Sequence, residues 1–103
     1  MPNRFNGLLN QKNQKIKLSY SKMGITVYIL YSNQFNKTYV GQTNNLIKRL
    51  KYHNSGQVKS TKRYIPWEML YFEEYSSRSE AMRREKWFKS KTGRKKISEI
   101  LQN

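Results

Sequence analysis

At 103 residues the chain has room for one modest hydrophobic core and no second domain. Its 21 Lys plus Arg against six acids, a formal +15, make nucleic acid the default partner, while the absence of a long apolar segment or basic amphipathic anchor disfavours a membrane surface. With no Cys and one His, thiolate zinc fingers, disulfides, thiol catalysis and His-rich metal sites are excluded.

Residues 1–23 carry Arg4, Lys12, Lys15, Lys17 and Lys22, no acid and no hydrophobic period. They read as a flexible basic tail that adds non-specific nucleic-acid affinity, or as an extension upstream of a start at Met23. The basic residues are not followed by an apolar h-region, so no secretory signal is expected and cytoplasm is the default compartment.

The remaining residues, 24–103, read as one domain. Residues 25–31 are β-branched and aromatic and predict a buried strand. Turn formers at 33–37 lead to a second short strand over 38–41, giving an antiparallel hairpin. Thr43 or Asn44 is placed to cap a helix whose apolar residues are Leu46, Ile47 and Leu50, ending at Asn54-Ser55-Gly56. A polar, basic loop over 57–66 ends in Pro66. A third strand spans 67–75, with Trp67, Met69 and Tyr71 roughly alternating. Ser77 with Glu80 fits a capping box for a helix running to about Lys89. Lys91-Thr92-Gly93 is expected to break it, and a last helix carries Ile97, Ile100 and Leu101. The fold class is therefore α+β, a small three-stranded, mostly antiparallel sheet flanked by helices in the order β-β-α-β-α-α.

The acids narrow the chemistry. All six are Glu, namely Glu68, Glu73, Glu74, Glu80, Glu85 and Glu99. A two-metal nuclease needs several converging carboxylates, so a hydrolytic site here has to be a one-metal or metal-poor design. Glu85 lies four residues after Ala81, three after Met82 and three before Phe88, on the apolar side of its helix. A carboxylate there is costly unless it is paired or binds a metal, and a structural salt bridge is the competing explanation. Arg49 and His53 stand one helical turn apart and could grip a phosphate together, or simply form a solvated helix edge. Tyr28 and Tyr39 read singly as packing residues, and Gly41 as a close-approach point or part of the turn into the helix.

Taken in order, Tyr28, Tyr39-Val40-Gly41, Arg49-x-x-x-His53 and a helical Glu85 on this frame resemble the GIY-YIG nuclease superfamily. The similarity spans roughly residues 25–101 and looks strongest to small stand-alone bacterial members related to the nuclease domain of the excision-repair endonuclease subunit. The stretches Tyr28-Ile29-Leu30-Tyr31-Ser32, His53-Asn54-Ser55-Gly56, Ser60-Thr61-Lys62, Pro66-Trp67 and Arg84-Glu85-Lys86 carry it. No one motif is specific; the ordered set is.

The resemblance implies a DNA endonuclease that hydrolyses phosphodiester bonds with one divalent cation, Mg²⁺ or Mn²⁺, in repair or recombination. It assigns the metal to Glu85, general-base assistance to Tyr28, a second site hydroxyl to Tyr39 and phosphate stabilisation to Arg49, with His53 at a position that is His or Tyr among members. Gly41, Gln42, Lys59, Lys62, Arg63, Arg84 and Lys86 are the expected nucleic-acid contacts, made largely to the backbone without sequence information. Three departures stand out: Thr26 where the motif name has Gly, Gln42 where some repair nucleases have Lys, and no matching Asn beyond Glu85. The rival reading is a non-catalytic basic DNA- or RNA-binding module on the same fold. The intact set of Tyr28, Arg49 and Glu85 argues against it, since binding alone does not need those residues.

Overall fold

A computed structural model describes residues 24–103; the expected basic tail over 1–23 lies outside the described residues. Three strands form an open antiparallel sheet in the order β2-β1-β3, with β1 at Ile25–Ser32, β2 at Lys37–Thr43 and β3 at Glu68–Tyr75. Helix α1 spans Leu46–Asn54, α2 Arg78–Phe88 and α3 Lys91–Gln102. This is the β-β-α-β-α-α order expected from sequence.

The central strand explains its own composition. Val27, Tyr28, Ile29 and Leu30 are each 1% exposed or less, because helices cover both faces of β1. A strand buried on both sides has no polar face and reads as an unbroken apolar run. Val27 and Ile29 pack with Val40, Leu70, Ala81, Phe88, Ile97 and Ile100 under α2 and α3. Tyr28 and Leu30 pack on the opposite face with Leu46, Trp67, Tyr39 and Leu50, under α1.

Two local expectations need correction. Along β3 the pairing moves from Ile29↔Tyr71 to Leu30↔Met69, so Leu70 is an extra residue on that strand. This bulge resets the alternation. Trp67 and Met69 face α1, but Tyr71 falls on the α2–α3 side. Nor does Lys91-Thr92-Gly93 break a helix. The interruption is at Lys89-Ser90; Ser90 caps α3, its Oγ accepting from the Gly93 amide at 3.2 Å, and Gly93 lies inside the first turn. A Cβ on Gly93 would overlap backbone atoms of Trp87 and Phe88. Glycine is there so that α3 can fold back tightly against the end of α2, not to end a helix.

The other boundaries follow ordinary capping. Asn45, one residue beyond the expected cap, accepts from the Lys48 amide at 3.1 Å, while Thr43 Oγ1 accepts from Asn45 N at 3.1 Å. Gly56, at φ +85°, carries the chain away from α1 in a conformation that only glycine adopts cheaply. The loop over 57–66 contains one short 3₁₀ turn, Lys62–Tyr64. Ser77 caps α2 as expected, accepting from the Glu80 amide.

Candidate active site

β1 and β2 bring the two motif tyrosines together. Their register sets Tyr28 opposite Gly41 and Leu30 opposite Tyr39. A Cβ on Gly41 would lie 2.6 Å from the Tyr28 hydroxyl oxygen and 3.0 Å from Tyr39 Cε2. Gly41 therefore makes room for the two rings, whose centroids are 6.3 Å apart.

α1 completes the cluster from above. Its last turn delivers His53, fully buried, with Nε2 2.9 Å from the Tyr28 hydroxyl and Nδ1 2.9 Å from Thr61 Oγ1. The Thr61 hydroxyl donates to the Val58 carbonyl, so it accepts from the imidazole. That puts the ring proton on Nδ1 and leaves Nε2 bare to accept the Tyr28 O–H. The Tyr28 oxygen in turn accepts from Arg49 Nε at 3.4 Å. Tyr39 closes the cluster with its ring 4.9 Å from that of His53.

The electrostatics follow from burial. Tyr28 is pushed up to about 12, chiefly by removal from water and against the pull of the Arg49 hydrogen bond. His53 is pushed down to about 4 by burial and then by the nearby Arg49 charge. At neutral pH the pair is a neutral phenol and a neutral imidazole. His53 is thus not the phosphate-gripping cation that its spacing from Arg49 suggested. Both its nitrogens are engaged and none of its surface is exposed.

His53 also sets a pH dependence. Between its folded value of about 4 and the ordinary 6.5, the unfolded chain binds a proton that the folded chain does not. The stability this group confers is complete above pH 6.5 and lost as pH falls toward 4, up to about 3 kcal/mol. It is the one His in the chain. Urea unfolding across this window should show that slope in the wild type and a flattened one in His53→Gln; equal slopes would contradict the buried neutral imidazole.

Glu85 stands on the other side of the edge strand. One oxygen accepts from Gln42 Nε2 at 2.8 Å, and the other pairs with Lys89 Nζ at 2.8 Å. Arg78 Nη1 donates to Gln42 Oε1 at 3.0 Å and fixes the amide. Gly41-Gln42 therefore lies between the tyrosine cluster and the carboxylate, and the Glu85 charge contributes to the upward shift at Tyr28. Glu85 is not in the core as its spacing implied. Its side chain is 21% exposed at the edge of the α2 stripe, while Met82 of the same expected stripe is 56% exposed.

Residues 24–98 match the family model for the GIY-YIG catalytic domain. The chain belongs to the GIY-YIG family. It is 41% identical over 66 residues to a UPF0213 protein of Streptococcus agalactiae, covering 63% of this chain and 75% of that one. Against the UPF0213 protein YazA of Bacillus subtilis the figure is 45% over 62 residues, 59% of this chain and 63% of YazA. The solution structure of a UPF0213 protein from Bacillus halodurans superposes with a TM-score of 0.47 at 30% identity, covering 76% and 85% of the two chains. GIY-YIG is a nuclease family whose members generally use divalent metal ions, which implies a nucleic-acid substrate.

Glu85 offers a single carboxylate to a cation. Among the described residues no three His, Cys, Asp or Glu converge. A hard cation that keeps most of its waters and borrows phosphate oxygens needs only one or two carboxylates. The Lys89 ion pair is the structural salt bridge that competes with a metal at Glu85, and a cation bound at that oxygen has to displace the ammonium.

The expected basic contacts divide. Lys59, Lys62, Arg63 and Lys86 are exposed, with Arg63 resting over the Tyr64 ring. Arg84 is committed elsewhere: Nε and Nη2 grip the two Glu73 oxygens at 2.8 and 2.9 Å, and its guanidinium lies over Trp87 and Phe88. Against the opposing effect of burial, that pairing and the hydroxyls of Tyr75 and Tyr71 hold the Glu73 carboxyl below its usual range. Arg84 is a packing residue on the α2–α3 side. Gln42, also expected to touch nucleic acid, hydrogen-bonds Glu85. Sequence reasoning did not assign Thr61 or Arg78 a role at the site; both are commonplace residues whose partners lie 8 and 36 positions away. Among the described residues no helix is long and apolar enough to cross a membrane.

Proposed function

We propose that the chain is a one-metal DNA endonuclease, structure-selective or weakly sequence-specific, that hydrolyses phosphodiester bonds in repair or recombination with Mg²⁺ or Mn²⁺ at Glu85. The observation that carries this reading is the Tyr28 hydroxyl held between Arg49 Nε and the bare Nε2 of a neutral His53. A packing tyrosine buried this deeply needs one acceptor for its O–H, which His53 supplies; the Arg49 guanidinium is a second, charged partner that packing does not require.

The chemistry is a proton relay. A phosphodiester settles over Gly41-Gln42, between Arg49 and Glu85. Its negative charge near His53 opposes the depressing effect of Arg49 and raises the proton affinity of the imidazole. As water attacks phosphorus, the Tyr28 oxygen takes the water proton while its own passes to His53 Nε2. Nδ1–H stays on Thr61, which keeps the ring from turning. Arg49 stabilises the charge that develops on the phosphoryl oxygens. A bound cation at Glu85 supplies Lewis-acid stabilisation of the leaving oxygen.

The test is to incubate purified protein with branched, nicked and linear DNA plus Mg²⁺ or Mn²⁺, with RNA of the same designs alongside. Metal-dependent cutting of DNA is expected, reduced by about 10²-fold or more in Glu85→Ala. If nothing is cut, or Glu85→Ala cuts equally well, the catalytic reading is wrong. Salt-sensitive binding without metal dependence would then identify a binding module.

A further inference from the structure

We infer that a nucleic-acid strand crosses the protein along two depressions that meet at the tyrosine cluster, and that the groove between β2 and α3 holds the strand on one side of the bond to be cut. The inference rests on the nuclease reading for the position of that bond, but not for binding.

The larger depression encloses about 670 Å³ and runs between residues 36–40 of the β2 edge and the α3 face that carries Arg94 and Ser98. The smaller, about 290 Å³, is lined by Thr43, Asn44, Asn45, Lys48, Arg49 and Tyr52. Each shares residues with the site. Tyr39 and Lys89 line the larger one, and these are the ring beside His53 and the partner of Glu85. Arg49, which donates to Tyr28, lines the smaller. A strand whose phosphate sits between Arg49 and Glu85 therefore continues into one depression at each end.

The lining suits a polyanion. The larger groove is lined by Lys37, Arg94 and Lys89, the last already paired with Glu85, and neither depression is lined by an acid. Arg94 is an exposed cation of its lining and Lys37 another, with its ammonium 5.5 Å from the Tyr64 ring centre; Val40, Ile97 and Leu101 give a small apolar floor, of which Val40 and Ile97 expose only 7% and 5%. Charged rim and apolar floor match the phosphates and the sugar or base faces of one strand. A free anion would use the rim and have no use for the floor. In the smaller depression Tyr52 is 42% exposed, and the Arg49 guanidinium lies 5.3 Å from its ring centre. A flat ring with an adjacent cation is a stacking platform for a base. Lys37 and Lys48 are not among the basic contacts that the sequence pointed to.

The full chain, ¹⁵N-labelled and in EDTA so that nothing is cut, is titrated with a short single-stranded oligodeoxynucleotide and, separately, with inorganic phosphate. Amide shifts are expected over residues 36–40, 94–98 and 44–49 with the oligonucleotide. Lys37→Glu/Arg94→Glu should bind about 10-fold more weakly, with a salt slope smaller by about 1.4, the release of two counterions from a single strand. Lys37→Gln/Arg94→Gln serves if circular dichroism shows the reversed pair to be misfolded. Shifts confined to residues 59–63, affinity unchanged in both pairs, no binding, or equal shifts with phosphate alone would each overturn the track. Failure of Glu85→Ala to alter cutting would overturn the nuclease reading and leave the track standing.

Discussion

Tyr28→Phe is expected to lower DNA cleavage by about 10²- to 10⁴-fold, the usual contribution of a positioned proton-transfer group. The ring remains, so the packing of β1 against α1 is kept. What disappears is one oxygen that donates to His53 Nε2 and accepts from Arg49 Nε. Two polar groups then lose a partner, one of them fully buried, at a stability cost of about 1–3 kcal/mol. Oligonucleotide affinity should hardly change, because Tyr28 is 1% exposed and offers a strand little surface. Single-turnover cleavage, fluorescence anisotropy and urea unfolding separate these effects. Cleavage within a few-fold of wild type would remove Tyr28 from the chemistry. Loss of binding in step with cleavage would instead point to a collapsed site.

The largest effect on stability is expected at Gly93, outside the site. Gly93→Ala should cost about 3 kcal/mol or more, from overpacking that the structure cannot relieve by turning a side chain. The new Cβ would meet the Trp87 carbonyl oxygen and the Phe88 Cα, both backbone atoms. Relief therefore requires α3 to move away from α2, which strips contacts from Phe88, Ile97 and Ile100 in the core. Gly56→Ala is the useful comparison. Its φ of +85° strains an alanine, but the nearest atom to the new Cβ is Ile65 Cδ1 at 3.8 Å. It should cost about 1 kcal/mol. A Gly93→Ala protein no less stable than Gly56→Ala would mean that the helices meet less closely than described.

Much of the frame was legible because its signals are local. The β-branched run of β1, the Ser77 cap and the Asn54-Ser55-Gly56 stop depend on residues within a turn or two of each other. Errors came where distant parts of the chain decide. Leu70 bulges because β3 must pair with β1, and nothing in the alternation of 67–75 marks the slip. Gly93 looked like a helix breaker because glycine has two uses, and only the proximity of Trp87 and Phe88 selects between them. Arg84 reads in sequence as one more surface cation, and only the fold brings Glu73 of β3 to hold it.

By itself the sequence determined the α+β order of elements, the polyanion-seeking charge and a chemistry poor in carboxylates, because composition and short-range pattern do not depend on how the chain folds back. It also supplied the ordered set Tyr28, Tyr39, Arg49, His53 and Glu85. Only the tertiary structure decided what these residues are to each other. Tyr28 and His53 are 25 positions apart, and Gln42 and Glu85 are 43 apart. Sheet register and the seating of α1 bring the first pair within hydrogen-bonding distance, and α2 against β2 does so for the second. Burial then made His53 a neutral acceptor instead of a cation, since a low-dielectric surrounding penalises charge and spacing along a helix carries no information about depth.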